Sequence, residues 1–171
     1  MPKRRLSILF GSKLYEVITV FKKIMVATDG SETSMRTAKL AVSLARLAGG
    51  RVAAIYVVDI YRLAQLPGYT TLPGLSERLM GLMFKEGEEA ISEIGEMASD
   101  AGVPFEKIIA EGNPSEEILR QCNDSGTDLL VIGSIGRTGL EKIMLGSVAE
   151  KVVRNSKVPV LIVPGKSDSK I

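Results

Sequence analysis

The chain has 171 residues, of which 45% are hydrophobic and 25% charged, and its net charge is +2. This length and composition fit one soluble domain with its own core, and the small net charge gives no sign of a nucleic-acid partner. The chain contains no histidine and one cysteine, Cys122. These counts exclude a Ser/His/Asp triad, a histidine-ligated zinc site, a cysteine-rich metal site and an intramolecular disulfide.

From Lys22 onward, short apolar and β-branched runs alternate with longer stretches of helical periodicity. The predicted strands, in chain order, are Lys22–Thr28, Arg51–Val58, Pro104–Ala110, Asp128–Ile132 and Val158–Val163. The predicted helices run from a cap at Ser31 or Ser34 to about Ala48, from about Leu75 to Ala101, from residues 112–115 onward, and from Ser147 to Asn155, and residues 59–75 form a long loop. The alternation predicts an α/β fold in which helices cover both faces of a parallel sheet.

The two ends of the chain fall outside this alternation. Residues 22–164 form the predicted single domain, residues 1–21 an extension and residues 165–171 a flexible tail. No apolar run approaches the ~20 residues that span a bilayer, and the apolar run after the basic start ends at residues 11–13 without a cleavage site. We therefore expect a cytoplasmic protein without membrane contact. For the extension, loose attachment is favoured over docking on a partner chain.

Glycines gather where the fourth predicted strand ends. Gly133 and Gly136 lack side chains, so backbone N–H groups near them can approach an anion closely. Gly146 and Ser147 precede a helix whose first N–H groups and positive dipole end suit phosphate. Tight-turn geometry alone is the alternative, but this gathering favours phosphate binding. The spacing matches neither a P-loop nor a dinucleotide-binding turn.

Asp29 directly follows the first predicted strand. Ligands of open α/β sheets bind beyond the carboxyl ends of the strands, so the carboxylate is placed to accept from ribose hydroxyls or to reach a phosphate-bound Mg²⁺. An Asx turn or a helix cap explains an aspartate at this position equally well.

The glycine pattern resembles the nucleotide signature of the universal stress protein family, G-x2-G-x9-G-[ST]. Gly133, Gly136, Gly146 and Ser147 meet both spacings. Four further segments resemble the family in the same order along the chain: KKIMVATDGSE from Lys22, YVVD from Tyr56, EGNPSEEI from Glu111, and SVAEKVVRNSKVPVLIV from Ser147. The resemblance covers about residues 22–164. It departs at Ile135, where many relatives carry histidine, which removes a polar contact but no backbone donor.

The resemblance implies an open five-stranded parallel sheet in the order 3-2-1-4-5, a Rossmann-like fold of the adenine nucleotide alpha hydrolase-like type. It implies ATP as the ligand, with Mg²⁺ or Mn²⁺. The implied ligand contacts are Ala27, Thr28 and Asp29 at adenine and ribose, the Val57 backbone at adenine, Ile132, Gly133, Ile135 and Gly136 at ribose and phosphates, and Gly146, Ser147, Val148 and Ala149 at the phosphates. It also implies a homodimer through the last strand, Val158 to Val163, whose apolar edge is an aggregation hazard if left open.

Two functions fit these residues. The first is a nucleotide-dependent stress-response or signalling module, in which ATP stabilises one arrangement of residues 59–75 and a protein partner, unknown from the sequence, recognises it. The alternative is a slow ATPase or other ATP-using enzyme. Asp29 is the only carboxylate of the predicted site and no histidine exists to orient a water, whereas phosphoryl transfer needs an oriented nucleophile and charge stabilisation. We therefore predict no catalytic residue and no enzymatic activity, although weak ATP hydrolysis stays open.

Overall fold

A computed structural model describes residues 21–135 and 145–165 of the chain. The described elements are β1 (Lys23–Thr28), α1 (Glu32–Ala48), β2 (Arg51–Val58), α2 (Ile60–Ala64), α3 (Leu75–Asp100), β3 (Phe105–Glu111), α4 (Pro114–Asp124), β4 (Leu129–Gly133), α5 (Ser147–Asn155) and β5 (Val160–Val163). The five strands form one parallel sheet in the order β3-β2-β1-β4-β5, which confirms the predicted fold. None of the helices described here is long and apolar enough to cross a membrane.

The central strand β1 shows why both faces of the sheet need covering. All six of its residues are buried, and successive side chains of a strand point to opposite faces. Ile24 and Val26 accordingly join the core that α1 and α3 cover, whereas Met25 and Ala27 join the core under α4 and α5. The strands therefore have the continuous apolar sequences that a doubly covered parallel sheet requires.

The first helix begins directly beyond β1. The N–H of Ser34 donates to Ser31 Oγ at 3.2 Å, so Ser31 is the cap of α1. Gly49 ends α1 in the left-handed conformation, with φ of 60°, which glycine adopts without steric penalty. This capping fixes the chain direction at the carboxyl end of β1.

Several predicted element ends shift by one residue, and two predictions need a larger correction. The loop prediction for residues 59–75 was wrong over Ile60–Ala64, which form α2. Asp59 caps that helix, because its Oδ1 accepts from the N–H of Arg62 at 2.9 Å. The last strand begins at Val160 rather than at Val158, since Pro159 has no N–H to donate, although its carbonyl accepts from the N–H of Leu130 at 3.0 Å.

Ser134 joins three segments at the carboxyl end of β4. Its N–H donates to the carbonyl of Val163 at 2.8 Å, and its carbonyl accepts from the N–H of Gly146 at 2.7 Å. Its buried Oγ accepts from the N–H of Gly165 at 3.0 Å. These bonds fix the start of α5 and the end of β5 beside the end of β4.

Candidate functional site

A cavity of about 570 Å³ opens at the carboxyl ends of β1, β2 and β4. It lies where the strand order reverses, between β1 and β4, the usual ligand position in an open α/β sheet. Eleven of the twelve residues predicted to contact the nucleotide line it: Ala27, Thr28, Asp29, Val57, Ile132, Gly133, Ile135, Gly146, Ser147, Val148 and Ala149. The twelfth, Gly136, lies outside the described residues.

The end of β1 is a hydrogen-bonded turn. Asp29 Oδ1 accepts from the N–H of Ser31 at 3.1 Å, which makes an Asx turn. The hydroxyl oxygens of Thr28 and Ser34 lie 3.0 Å apart, and Thr28 Oγ1 accepts from the N–H of Gly30 at 3.2 Å. The turn and a ligand contact are compatible roles for Asp29, because the residue also lines the cavity.

Gly133 has a packing role of its own at the end of β4. A Cβ at this position would lie 3.1 Å from Thr33 Cγ2 and 3.5 Å from Thr37 Oγ1, both on α1. The distance to Thr33 is shorter than that of an ordinary contact, so a side chain at this position would require Thr33 of α1 to shift whether or not an anion binds.

The start of α5 presents backbone donors to the cavity. The N–H of Gly146 donates to the carbonyl of Ser134, and the carbonyl of Gly146 accepts from the N–H of Glu150 at 2.8 Å. No residue in the described ranges accepts from the N–H groups of Ser147, Val148 and Ala149, and no side chain caps the helix. These three N–H groups lie at the positive end of the helix dipole, which is a suitable arrangement for an anion.

The opposite side of the cavity consists of side chains that the pattern analysis missed. Arg62, Leu63 and Leu66, in and just after α2, line it together with Met83 of α3. A five-residue helix is too short to give a periodic signal, and the one local signal that could have revealed it is its capping residue, Asp59. The other lining residues outside the prediction are Ser34, Ile55, Tyr56, Asp59, Pro114, Ile118 and Ser134.

The chemistry of the lining suits binding. Among the described lining residues, the charged ones are Asp29, Asp59 and Arg62. In the described part of the chain, no three acidic, histidine or cysteine side chains come together to hold a metal ion. Cys122 lies one turn after Ile118 on α4, and burial raises the pKa of its thiol to about 12. The thiol is therefore neutral near pH 7 and is no nucleophile.

Known proteins resemble this chain over nearly the same residues as the predicted domain. The profile of the universal stress protein family matches residues 21–164. The chain belongs to the universal stress protein family. It is similar to universal stress protein MJ0531 of Methanocaldococcus jannaschii, with 41% identity over 144 residues, which cover 84% of this chain and 82% of the relative.

Two solved structures of the universal stress protein fold are also similar. One is protein MJ0577 of Methanocaldococcus jannaschii, with 31% identity and a TM-score of 0.76 over 87% of this chain and 99% of the other. The second is a universal stress protein in complex with cAMP, with 25% identity and a TM-score of 0.60 over 84% of this chain and 97% of the other.

In this universal stress protein the cavity has two unlike sides. The amide side is formed by Gly133 and residues 146–149, beside β4 and α5. The apolar side is formed by Leu63, Leu66 and Met83, near the end of β2. Arg62 lies at the rim of the apolar side, where it is exposed to solvent.

Proposed function

We propose that this chain holds ATP in the cavity and acts as a nucleotide-dependent stress-response or signalling protein. The observation that carries the proposal is the row of three N–H groups at Ser147, Val148 and Ala149, which have no acceptor among the described residues and line the cavity. An anion with several oxygens, such as a polyphosphate, satisfies donors arranged in this way.

The dimensions and the lining of the cavity support a nucleotide. A volume of about 570 Å³ lies within the usual range for small-molecule sites. The apolar side suits a flat base and the amide side suits phosphates. The relative in complex with cAMP, 25% identical, shows that an adenine nucleotide is a ligand of that universal stress protein.

A divalent cation fits as a companion of the phosphates. Mg²⁺ is commonly held by one or two carboxylates together with substrate phosphates and water. Asp29, at the end of β1, would be the carboxylate, and Mg²⁺ or Mn²⁺ would neutralise phosphate charge there. Because phosphates would supply most of the ligands, this role does not require a preformed cluster of acidic side chains.

We also propose that the protein is not an enzyme and that ATP stays intact in the cavity. The described lining contains Asp29 and Asp59 as its carboxylates, and the chain has no histidine. Asp59 already accepts from the N–H of Arg62 as the cap of α2. Backbone donors that stabilise bound phosphate equally in ground and transition states increase affinity without accelerating hydrolysis.

Thermal unfolding with and without Mg·ATP tests the binding proposal. ATP at 100 times its dissociation constant adds about 2.7 kcal/mol to the free energy of unfolding, which is roughly 5–10 °C in Tm for a domain of this size. The same measurement with EDTA reports whether the metal contributes, and ATP recovered intact after hours supports a binding protein. No shift at saturating ATP, AMP or cAMP would contradict the nucleotide function, and steady release of phosphate would support the slow ATPase.

Two copies pair, in our proposal, through the last strand. β5 has β4 on one side and lies at the edge of the sheet, with its four residues half-buried in the single chain. The carbonyls of Pro159 and Val163 accept from the β4 side, so the N–H of Ile162 points to the open edge. Ile162→Pro is expected to convert a dimer into a monomer in sedimentation velocity, whereas an unchanged sedimentation coefficient would place the interface elsewhere.

A further inference from the structure

Arg62 is the one cationic side chain among the described residues that line the cavity. Its backbone N–H donates to Asp59, but no described ion pair includes its guanidinium. Arg62 and Leu66 are four residues apart, just after β2, and both line the cavity. Leu63, the next residue in α2, also lines the cavity, so the Arg62 side chain belongs to the apolar side.

The position of Arg62 separates it from the amide side. α2 follows β2, whereas Gly133 ends β4, and β1 lies between these two strands. Two strand spacings correspond to about 10 Å. A nucleotide whose phosphates lie on the N–H groups of α5 would therefore bring its base, and not its phosphates, to α2.

The surroundings of Arg62 also fit a base. Leu63, Leu66 and Met83 are apolar, and a flat ring buried among them needs no polar partner on its faces. A guanidinium is planar, weakly hydrated and carries donors only. A planar cation of this kind is attracted to the face of an aromatic ring. The edge of the ring then remains available to other groups.

From this arrangement we infer that Arg62 stacks on the base of the bound nucleotide and strengthens binding of the base portion of the ligand. The inference rests on the proposed function and assigns a base contact outside the glycine signature. Lysine is the weaker residue in this role, because an ammonium is attracted to the ring face but lacks the planar group that covers it.

Calorimetric titration of the full chain with ATP and with inorganic tripolyphosphate, both in Mg²⁺ buffer, tests the inference. Arg62→Ala is expected to weaken ATP binding about tenfold and to leave tripolyphosphate binding unchanged. Arg62→Lys keeps the charge but not the planar group, so it is expected to recover only part of the lost ATP affinity. Arg78→Ala removes the same charge from an exposed position of α3 outside the cavity lining, and its ATP affinity is expected to equal that of the wild type.

The contradicting results are separate from a failure of the proposed function. Equal losses for ATP and tripolyphosphate would make Arg62 a phosphate contact, and wild-type affinity in Arg62→Lys would show that charge alone matters. Unchanged ATP affinity in Arg62→Ala would remove Arg62 from the site. In each case the wild type still binds ATP, whereas a wild type that binds no ATP contradicts the proposed function itself. Tm without ligand checks that Arg62→Ala, a substitution favourable to helix, stays folded.

Discussion

The amide side and the apolar side of the cavity flank β1, yet they are built from different parts of the chain. The amide side consists of backbone N–H groups at Ser147, Val148 and Ala149, held in place by the bond between Gly146 and Ser134. The apolar side consists of side chains from the short helix α2 and from α3. The N–H groups of the amide side remain when a side chain is exchanged, but added volume in front of them blocks the ligand. The contacts of the apolar side change with every side chain that is substituted. The two sides should therefore respond to mutation in opposite ways.

The largest expected effect is that of added volume on the amide side. Gly146 has φ of −69° and ψ of 156°, a conformation open to any residue, so Gly146→Val is expected to keep the fold. Its side chain would occupy the approach to the N–H groups of α5. Losing two or more charge-assisted hydrogen bonds weakens ATP binding by at least about 100-fold, as measured by calorimetry with circular dichroism as the check on folding.

A matched control lies on the exposed surface of α3. A Cβ at Gly81 meets nothing within 4 Å, so Gly81→Val is expected to bind ATP as the wild type does. Gly133→Val is unsuitable, because its Cβ would already crowd Thr33 of α1. Wild-type ATP affinity in Gly146→Val would show that the phosphates lie elsewhere.

The smallest expected effect is the loss of one side chain on the amide side. Ser147→Ala removes a hydroxyl and retains the backbone N–H, so ATP affinity should fall only about three- to tenfold, the contribution of one hydrogen bond. Calorimetry of this variant beside Gly146→Val measures how much of the anion binding is due to the backbone. A loss as large as that of Gly146→Val would contradict a backbone-dominated amide side.

The sequence predicted the amide side because its chemistry depends on glycine spacing. Gly133, Gly146 and Ser147 are recognisable at fixed intervals, and the structure brings them to one cavity. The same reasoning did not reveal that Gly133 also packs against Thr33, since a contact with another helix is absent from a local pattern. It also left two roles open for Asp29, a ligand contact and a turn or cap. The structure contains the Asx turn.

The apolar side was not predictable from local sequence. Leu63, Leu66 and Met83 look like ordinary core residues, and only the fold of residues 59–75 brings the first two to the cavity. The order of the strands likewise came from the resemblance to the family, because alternation alone predicts a parallel sheet without its order. These features depend on which distant segments come together in the fold, and the hydrophobic periodicity of a local segment does not report this.

The buried thiol of Cys122 gives the protein a reporter that needs no engineering. It is the sole cysteine of the chain, its residue is 2% exposed, and its Sγ lies 3.4 Å from Met25 Sδ under α4. Because burial both shields this thiol and keeps it protonated, a thiol-reactive dye can label it only when α4 separates from the sheet. The labelling rate therefore measures, without any substitution, how often this layer of the domain opens.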